Sequence, residues 1–136
     1  MNGATPKSAT ALNIALWVAQ LLLAIPYAML GWMKATGDLA QLSQMMKWIP
    51  DFPVWFVRGL GVLEILGAIG LILPSLTRIQ PRWTVIAAVC ILLHQACAVT
   101  LHLTRGEFTI VLNAVLIALA AFIYWGRSRK VPIAAR

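Results

Sequence analysis

Four long apolar runs dominate the pattern of hydrophobic and polar positions along this chain. They cover about residues 11–33, 55–73, 83–103 and 108–125. Each is close to the ~20 apolar residues that an α-helix, rising about 1.5 Å per residue, needs to cross the hydrocarbon core of a bilayer. The sequence therefore predicts an all-α membrane protein, a four-transmembrane-helix bundle that forms one membrane domain over residues 1–136.

The connection between the first two runs has a pattern of its own. After Asp38, which is a suitable N-cap, apolar residues recur at helical spacing over about residues 38–49. This predicts a short amphipathic interfacial helix between transmembrane helices 1 and 2. Pro26 is expected to kink the first span without ending it, whereas Pro74 is expected to stop the second.

Composition and charge agree with a membrane protein. The chain is 61% hydrophobic and 11% charged, which is too few charged side chains to cover a surface facing water. The formal net charge of +7 comes from Lys and Arg residues at the ends of the apolar runs, and they form no stripe for nucleic acid. The sequence predicts contact with the lipid bilayer and no nucleic-acid partner.

The basic residues also predict an orientation. The end of the bundle that carries both termini holds Lys7, Arg78, Arg82, Arg127, Arg129, Lys130 and Arg136, and the other end holds Lys34, Lys47, Arg58 and Arg105. Because cytoplasmic segments carry the excess of Lys and Arg, both termini are expected in the cytoplasm, in the inner (plasma) membrane. Residues 126–136 would form a basic cytoplasmic tail.

Glu64 is the most unusual residue in the spans, because it lies at the middle of the second one. A charge at that depth costs roughly 2.5 to 3.5 kcal/mol on insertion scales. Glycines one turn away put Glu64 on the small-residue face, which predicts that it points into the bundle. Desolvation favours a protonated Glu64 and a neighbouring cation an ionised one, and both states stay open.

Further polar side chains lie at or outward of the depth of Glu64. Counting residues from the span ends puts His94 at the same depth and Arg58 about 9 Å further out. The remaining members of this predicted polar cluster are Tyr27, Lys34, His102 and Asn113. We expect Glu64, His102 and Arg58 to handle protons and the other four to contact a ligand, although a structural clamp between helices is the alternative.

Several chemistries do not fit the pattern. Both histidines lie on one span, and no helix presents His and carboxylate at metal-ligand spacing, so no metal site or haem is expected. Cys90 and Cys97, about 10 Å apart along one helix, are interpreted as apolar packing residues. Phosphate loops and nucleophile elbows are missing from the sequence. What remains is proton transfer, or the binding of a lipophilic small molecule.

Several of these residues are similar to those at recurring positions of a known protein family. Two segments carry the similarity, Gly31-Trp-Met-Lys34 and Arg58-Gly-Leu-Gly-Val-Leu-Glu64, and they are followed by Gly67, Gly70, a late histidine and Asn113. With these residues the chain resembles the DoxX-like family from about residue 12 to residue 127. The resemblance implies a four-helix membrane bundle. It also implies a relation to subunits of a thiosulfate to quinone oxidoreductase, or to partners and assembly factors of membrane redox proteins. Family positions recur at Lys34, Arg58, Gly61, Glu64, Gly67, His102 and Asn113, whereas His94 is outside the pattern.

Three functional hypotheses follow. The first is an accessory or quinone-binding component of membrane redox metabolism, with a quinone as the possible cofactor and a membrane or redox protein as the possible partner. The second is a small membrane enzyme in which Glu64 is the general acid or base on a lipid-phase substrate. The third is a non-enzymatic assembly factor for a membrane complex.

Overall fold

The computed structural model describes residues 6–108 and 110–136, and that part of the chain contains helices and no strands. The elements are α1 (Pro6–Thr36), α2 (Leu39–Met45), a 3-10 helix (Ile49–Asp51), α3 (Val54–Thr77), α4 (Arg82–Thr104), α5 (Val111–Trp125) and a π-helical turn (Gly126–Lys130). The predicted all-α fold, with a short helix between the first two long ones, is confirmed.

The four long helices form a closed ring of antiparallel neighbours. Helix α1 packs on α3, α3 on α4, α4 on α5, and α5 on α1, while α1 and α4 face each other across the diagonal. The buried core between them includes Leu23, Tyr27, Leu71, Ile91 and Ile123. Polar side chains that point inward from α1 and α4 therefore meet on the bundle axis.

The closest approach in the ring is between α1 and α3. A Cβ added at Gly61 would lie 2.6 Å from the carbonyl oxygen of Gly31, and one added at Gly31 would lie 2.7 Å from the carbonyl oxygen of Gly61. Only glycine allows two helix backbones to touch in this way. Lys34 and Glu64 each follow their glycine by three residues, so this contact brings the two side chains together.

The connection from α1 to α3 covers the end of the bundle opposite the termini, which we call the outer end. Asp38 caps α2 by accepting a hydrogen bond from the Ala40 amide at 2.9 Å. Helix α2 ends at Met45 and a separate 3-10 helix follows, so the regular helix is shorter than the predicted residues 38–49. Trp48 and Ile49 pack with Val57 at the start of α3.

The prediction that Pro74 ends the second span is wrong, because α3 continues through it to Thr77. Pro74 removes only the hydrogen bond to the carbonyl of Gly70, and a membrane helix tolerates that loss when neighbouring helices pack around it. Pro26 likewise lies inside α1 without ending it. Thr109, within the predicted fourth span, lies outside the described residues.

The surface of the bundle is that of a membrane protein. Helices α1, α3 and α4, and α5 together with the π-helical turn that follows it, are long and apolar enough to span a bilayer. Their outward faces expose large side chains such as Leu63, Leu66 and Leu93. A soluble protein rarely exposes so much continuous apolar surface. Exposed Trp55 and Trp83 lie near helix ends, at the depth that aromatic residues prefer. The chain is a multi-pass membrane protein in contact with lipid.

Candidate functional site

A buried ion pair joins α1 to α3. Lys34 Nζ donates to both carboxylate oxygens of Glu64, at 2.7 and 2.8 Å, and the two residues are only 5% and 6% exposed. The prediction that Glu64 points into the bundle is confirmed. Its partner is Lys34, whose own position at the end of α1 is favourable for a cation.

His94 and Tyr27 extend the polar contacts from this ion pair across the bundle to α4. The Nε2 atom of His94 lies 3.7 Å from Glu64 Oε1, slightly beyond hydrogen-bond length. The Nδ1 atom of His94 is 2.8 Å from the Tyr27 hydroxyl. The depth prediction for His94 and Glu64 is thus confirmed, and the Tyr27 to His94 contact crosses the diagonal between α1 and α4.

Gln95 and Asn113 complete a chain of polar side chains through the bundle. Gln95 Nε2 donates to the Tyr27 hydroxyl at 2.6 Å, and Asn113 Nδ2 donates to Gln95 Oε1 at 2.8 Å. The Tyr27 hydroxyl accepts from Gln95, and it can donate to His94 Nδ1 when Nε2 carries the imidazole proton or accept from Nδ1–H in the other tautomer. We call Lys34, Glu64, His94, Tyr27, Gln95 and Asn113 the polar chain; it takes residues from all four long helices.

An apolar groove between α3 and α4 runs up to this polar chain. The cavity has a volume of about 430 Å³, and Tyr27, Glu64 and His94 lie at its polar end. The rest of its wall is apolar or small and includes Leu63, Leu66, Gly67, Gly70, Trp83, Ile86, Ala87, Cys90 and Ile91. Because Leu63 and Leu66 are largely exposed, the groove opens toward lipid.

Arg58 does not contact Glu64. Its Nη1 atom donates to the carbonyl oxygens of Lys34 at 3.0 Å and Gly37 at 2.7 Å. These carbonyls belong to the end of α1, where backbone acceptors have no partner within the helix. Arg58 therefore caps α1 and fixes the backbone that carries Lys34.

His102 belongs to a separate group at the outer end of α4. Its Nδ1 atom lies 2.6 Å from Glu107 Oε2, and Arg105 Nε donates to the other oxygen of Glu107 at 2.9 Å. Arg105 also pairs with Asp51 of the outer connection. Hydrogen bonding from His102, and then from Arg105, lowers the pKa of Glu107 below its ordinary value.

The predicted single cluster is therefore divided, and its inclusion of Arg58 and His102 beside Glu64 is wrong. The structure brings together five of the predicted residues: Tyr27, Lys34, Glu64, His94 and Asn113. Depth along a helix was predictable, but the direction around each helix axis depends on packing. Gln95 is not in the predicted cluster, although its position directly after His94 in an apolar span is a signal that could have found it.

The site is suited to an organic head group more than to a metal ion. Among residues 6–108 and 110–136, no three His, Cys, Asp or Glu side chains converge as metal ligands would. The polar end of the groove instead offers a carboxylate, an imidazole and a phenol. These groups can donate or accept hydrogen bonds and can exchange protons with a ligand.

Comparison with known proteins gives a family and nothing finer. A sequence model described as "DoxX-like family" matches residues 18–123, which is most of the chain and includes every member of the polar chain. No curated protein and no solved structure shows significant similarity to this chain.

Proposed function

Since the chain belongs to the DoxX-like family and is a multi-pass membrane protein, we propose that it binds a lipophilic molecule with a polar ring, such as a quinone, in the groove between α3 and α4. It acts as an accessory component of membrane redox metabolism. The observation that carries this proposal is a lipid-facing apolar groove that ends at Tyr27, Glu64 and His94.

The dimensions and chemistry of the groove support such a ligand. A volume of about 430 Å³ lies within the range of small-molecule pockets, roughly 300 to 1,000 Å³. A ring at the polar end can accept a hydrogen bond from His94 in the tautomer that carries the proton on Nε2, and a reduced ring can donate to the Glu64 carboxylate. An apolar tail then lies along Gly67 and Gly70 and leaves the protein toward the acyl chains.

The ion pair prepares the polar end for this role. Lys34 supplies the positive charge that an ionised Glu64 needs in a dry interior, and Arg58 holds the end of α1 in place. Tyr27 holds the His94 ring through Nδ1, on the side away from Glu64, and Gln95 in turn donates to the Tyr27 hydroxyl. The site is thus assembled before any ligand enters, which reduces the ordering cost of binding.

The charge distribution supports a cytoplasmic location for both termini in the inner membrane. All four acidic residues lie in the outer half or at mid-membrane: Asp38, Asp51, Glu64 and Glu107. There they offset the basic residues of that half, so the whole formal charge of +7 lies at the end with the termini. Such an excess of positive charge favours the cytoplasmic side.

The two native cysteines provide a direct test of groove occupancy. Cys90 lines the groove, whereas Cys97 is exposed two turns further along α4 and outside the groove. We would measure labelling by a lipid-soluble maleimide in Cys97→Ser, which keeps Cys90, and in Cys90→Ser, which keeps Cys97. A fully ring-substituted quinone, which cannot add a thiol, should slow labelling of Cys90 severalfold and leave Cys97 unchanged.

A groove-filling variant makes the test specific. A Cβ at Gly67 would meet Ile91 at an ordinary 3.7 Å, so Gly67→Leu should fold while its side chain occupies the groove. Gly59→Leu is the matched control, because a Cβ there meets nothing within 4 Å. Quinone protection of Cys90 should disappear in the first variant and persist in the second. Equal protection by a long-chain alkane would refute recognition of the ring.

An acid–base enzyme is the second candidate, favoured by the 3.7 Å separation of the His94 and Glu64 side chains at the closed end of an apolar groove. In that case Glu64 would transfer a proton to or from a lipid-phase substrate. Turnover of an isoprenoid by the purified protein without a redox partner, abolished in Glu64→Gln, would favour this candidate over quinone binding. If neither ligand nor turnover is found but a membrane complex copurifies, the assembly-factor hypothesis is favoured.

A further inference from the structure

A second cavity lies at the end of the bundle that carries the termini, and the proposed quinone site does not use it. Its volume is about 660 Å³. The turn between α3 and α4, the start of α4 and the chain after α5 form its wall. The polar side chains that line it are those of Ser75, Gln80, Arg82, Arg127, Ser128 and Arg136.

Arg127 is one of the residues that line this cavity, and it is a buried cation whose partners among the described residues are neutral. The residue is 3% exposed. Its Nε atom donates to Gln20 at 2.8 Å, and Nη1 donates to Asn13 at 2.7 Å and to the Val131 carbonyl at 3.1 Å. The Nη2 atom is buried and has no acceptor among the described residues. A buried donor on a charged group normally has a partner.

The sequence contains no carboxylate side chain that could serve as this partner. Its four acidic residues all lie in the outer connections or at mid-membrane. The indole ring of Trp17, 5.4 Å from the guanidinium carbon of Arg127, is the other feature that favours a cation there. Within residues 6–108 and 110–136, therefore, no side-chain carboxylate pairs with the positive charge of Arg127.

Two more cations line the same cavity. Arg82 and Arg136 are both exposed at its wall, and Arg82 is the first residue of α4. The N-terminus of a long helix adds a partial positive charge and favours an anion nearby. Guanidinium groups match the oxygens of a phosphate better than ammonium groups do, because they donate pairs of hydrogen bonds.

We propose that this cavity binds a phosphate group, with Arg127 as its buried donor and Arg82 and Arg136 as its outer ones. The phosphate belongs to an anionic phospholipid headgroup or to a soluble phosphate. Ile79 and Ile86, which are exposed apolar residues of the wall, would contact the glycerol and acyl part of a lipid. The site is independent of the quinone groove, with which it shares only Ile86.

Thermal unfolding of the delipidated full chain in detergent tests the proposal. One arm adds phosphatidylglycerol to the micelles, with phosphatidylcholine as the neutral comparison. The other adds sodium phosphate, with sodium chloride at the same ionic strength. A ligand that binds the folded state raises the unfolding temperature in proportion to its occupancy. Stabilisation by phosphatidylglycerol alone supports a lipid headgroup, and stabilisation by sodium phosphate supports a soluble phosphate.

Variants decide whether the cavity is responsible. Arg82→Gln and Arg136→Gln change exposed side chains and should fold, whereas Arg127→Gln disturbs a buried network. In Arg82→Gln or Arg136→Gln, the loss of an arginine contact to the phosphate should raise the half-saturating concentration of the stabilising ligand about tenfold or more. Arg129→Gln is the control, since Arg129 is exposed at the same end but outside the cavity. It should change that concentration less than about twofold.

Two results would overturn the proposal. The first is that neither phosphatidylglycerol nor phosphate stabilises the wild type more than its comparison does. The second is that Arg129→Gln weakens the effect as much as Arg82→Gln does, which would indicate general attraction to a basic surface. Gly67→Leu should leave the effect unchanged, so this proposal and the quinone proposal can fail separately.

Discussion

Replacing Gly61 by alanine should separate the two helices that hold the polar chain. The added Cβ would lie 2.6 Å from the Gly31 carbonyl oxygen and from the Ala35 amide nitrogen. Both are backbone atoms, so no rotation of a side chain can relieve the contact. Restoring an ordinary contact of at least 3.4 Å requires the helices to separate by about 0.8 Å.

The expected loss of stability follows from this displacement. The flexible stem of Lys34 can follow Glu64 over such a distance, so most of the cost is lost packing along the α1–α3 contact. Overpacking of this kind typically costs about 1 to 3 kcal/mol. Unfolding of the purified protein in mixed micelles with increasing sodium dodecyl sulfate, followed by circular dichroism, measures the free energy.

Two further variants make the test decisive. Gly59→Ala changes a lipid-facing glycine on the same helix, with nothing within 4 Å of the added Cβ, and should leave stability unchanged or slightly raised. Gly31→Ala enters the same contact from α1, at 2.7 Å from the Gly61 carbonyl oxygen. Once the helices have separated, a second Cβ fits at little extra cost, so the double variant should lose less than the sum. Equal stability of Gly61→Ala and Gly59→Ala, or full additivity, would refute the reasoning.

The remaining predictions concern three charged contacts. Lys34→Met should destabilise the protein by about 3 to 5 kcal/mol, and adding Glu64→Leu should recover most of the loss in the same unfolding assay; no recovery would contradict the role of the ion pair. Arg58→Gln should cost about 1.5 to 3 kcal/mol and speed amide hydrogen exchange at the end of α1 while sparing α5. Because hydrogen bonding lowers the pKa of Glu107, its contact with His102 should add stability above the ordinary value of 4.5 and lose it as the pH falls through the lower folded value. The stability difference between wild type and Glu107→Gln should accordingly vanish in acid, and a difference independent of pH would contradict this assignment.

Basic residues of the outer half differ from those at the other end because acidic side chains lie beside them. Lys34 is neutralised by Glu64, and Arg105 is neutralised by Asp51 and Glu107. Lys34 and Arg105 therefore stabilise the protein through ion pairs within the chain. At the end that carries the termini the sequence has no acidic side chain, so no side-chain carboxylate neutralises the basic residues there.

The sequence by itself determined how many helices there are, how deep each polar side chain lies and which end is basic. These properties follow from apolar run length and from a rise of about 1.5 Å per residue, both of which are local. The equal depth of Glu64 and His94 is the clearest example, since residue counting predicts it and the structure confirms it. The burial of Glu64 was equally predictable, because its glycine neighbours mark the packed face.

Only the tertiary structure decided which polar groups meet. Rotation about the helix axis and the crossing of α1 with α3 depend on packing between segments distant in the chain, and at Gly31 and Gly61 that packing selects Lys34 as the partner of Glu64. The same packing turns Arg58 to the end of α1 and leaves His102 with Glu107. The groove beside Cys90 and the burial of Arg127 depend on it too, because a space between helices exists only after they have assembled.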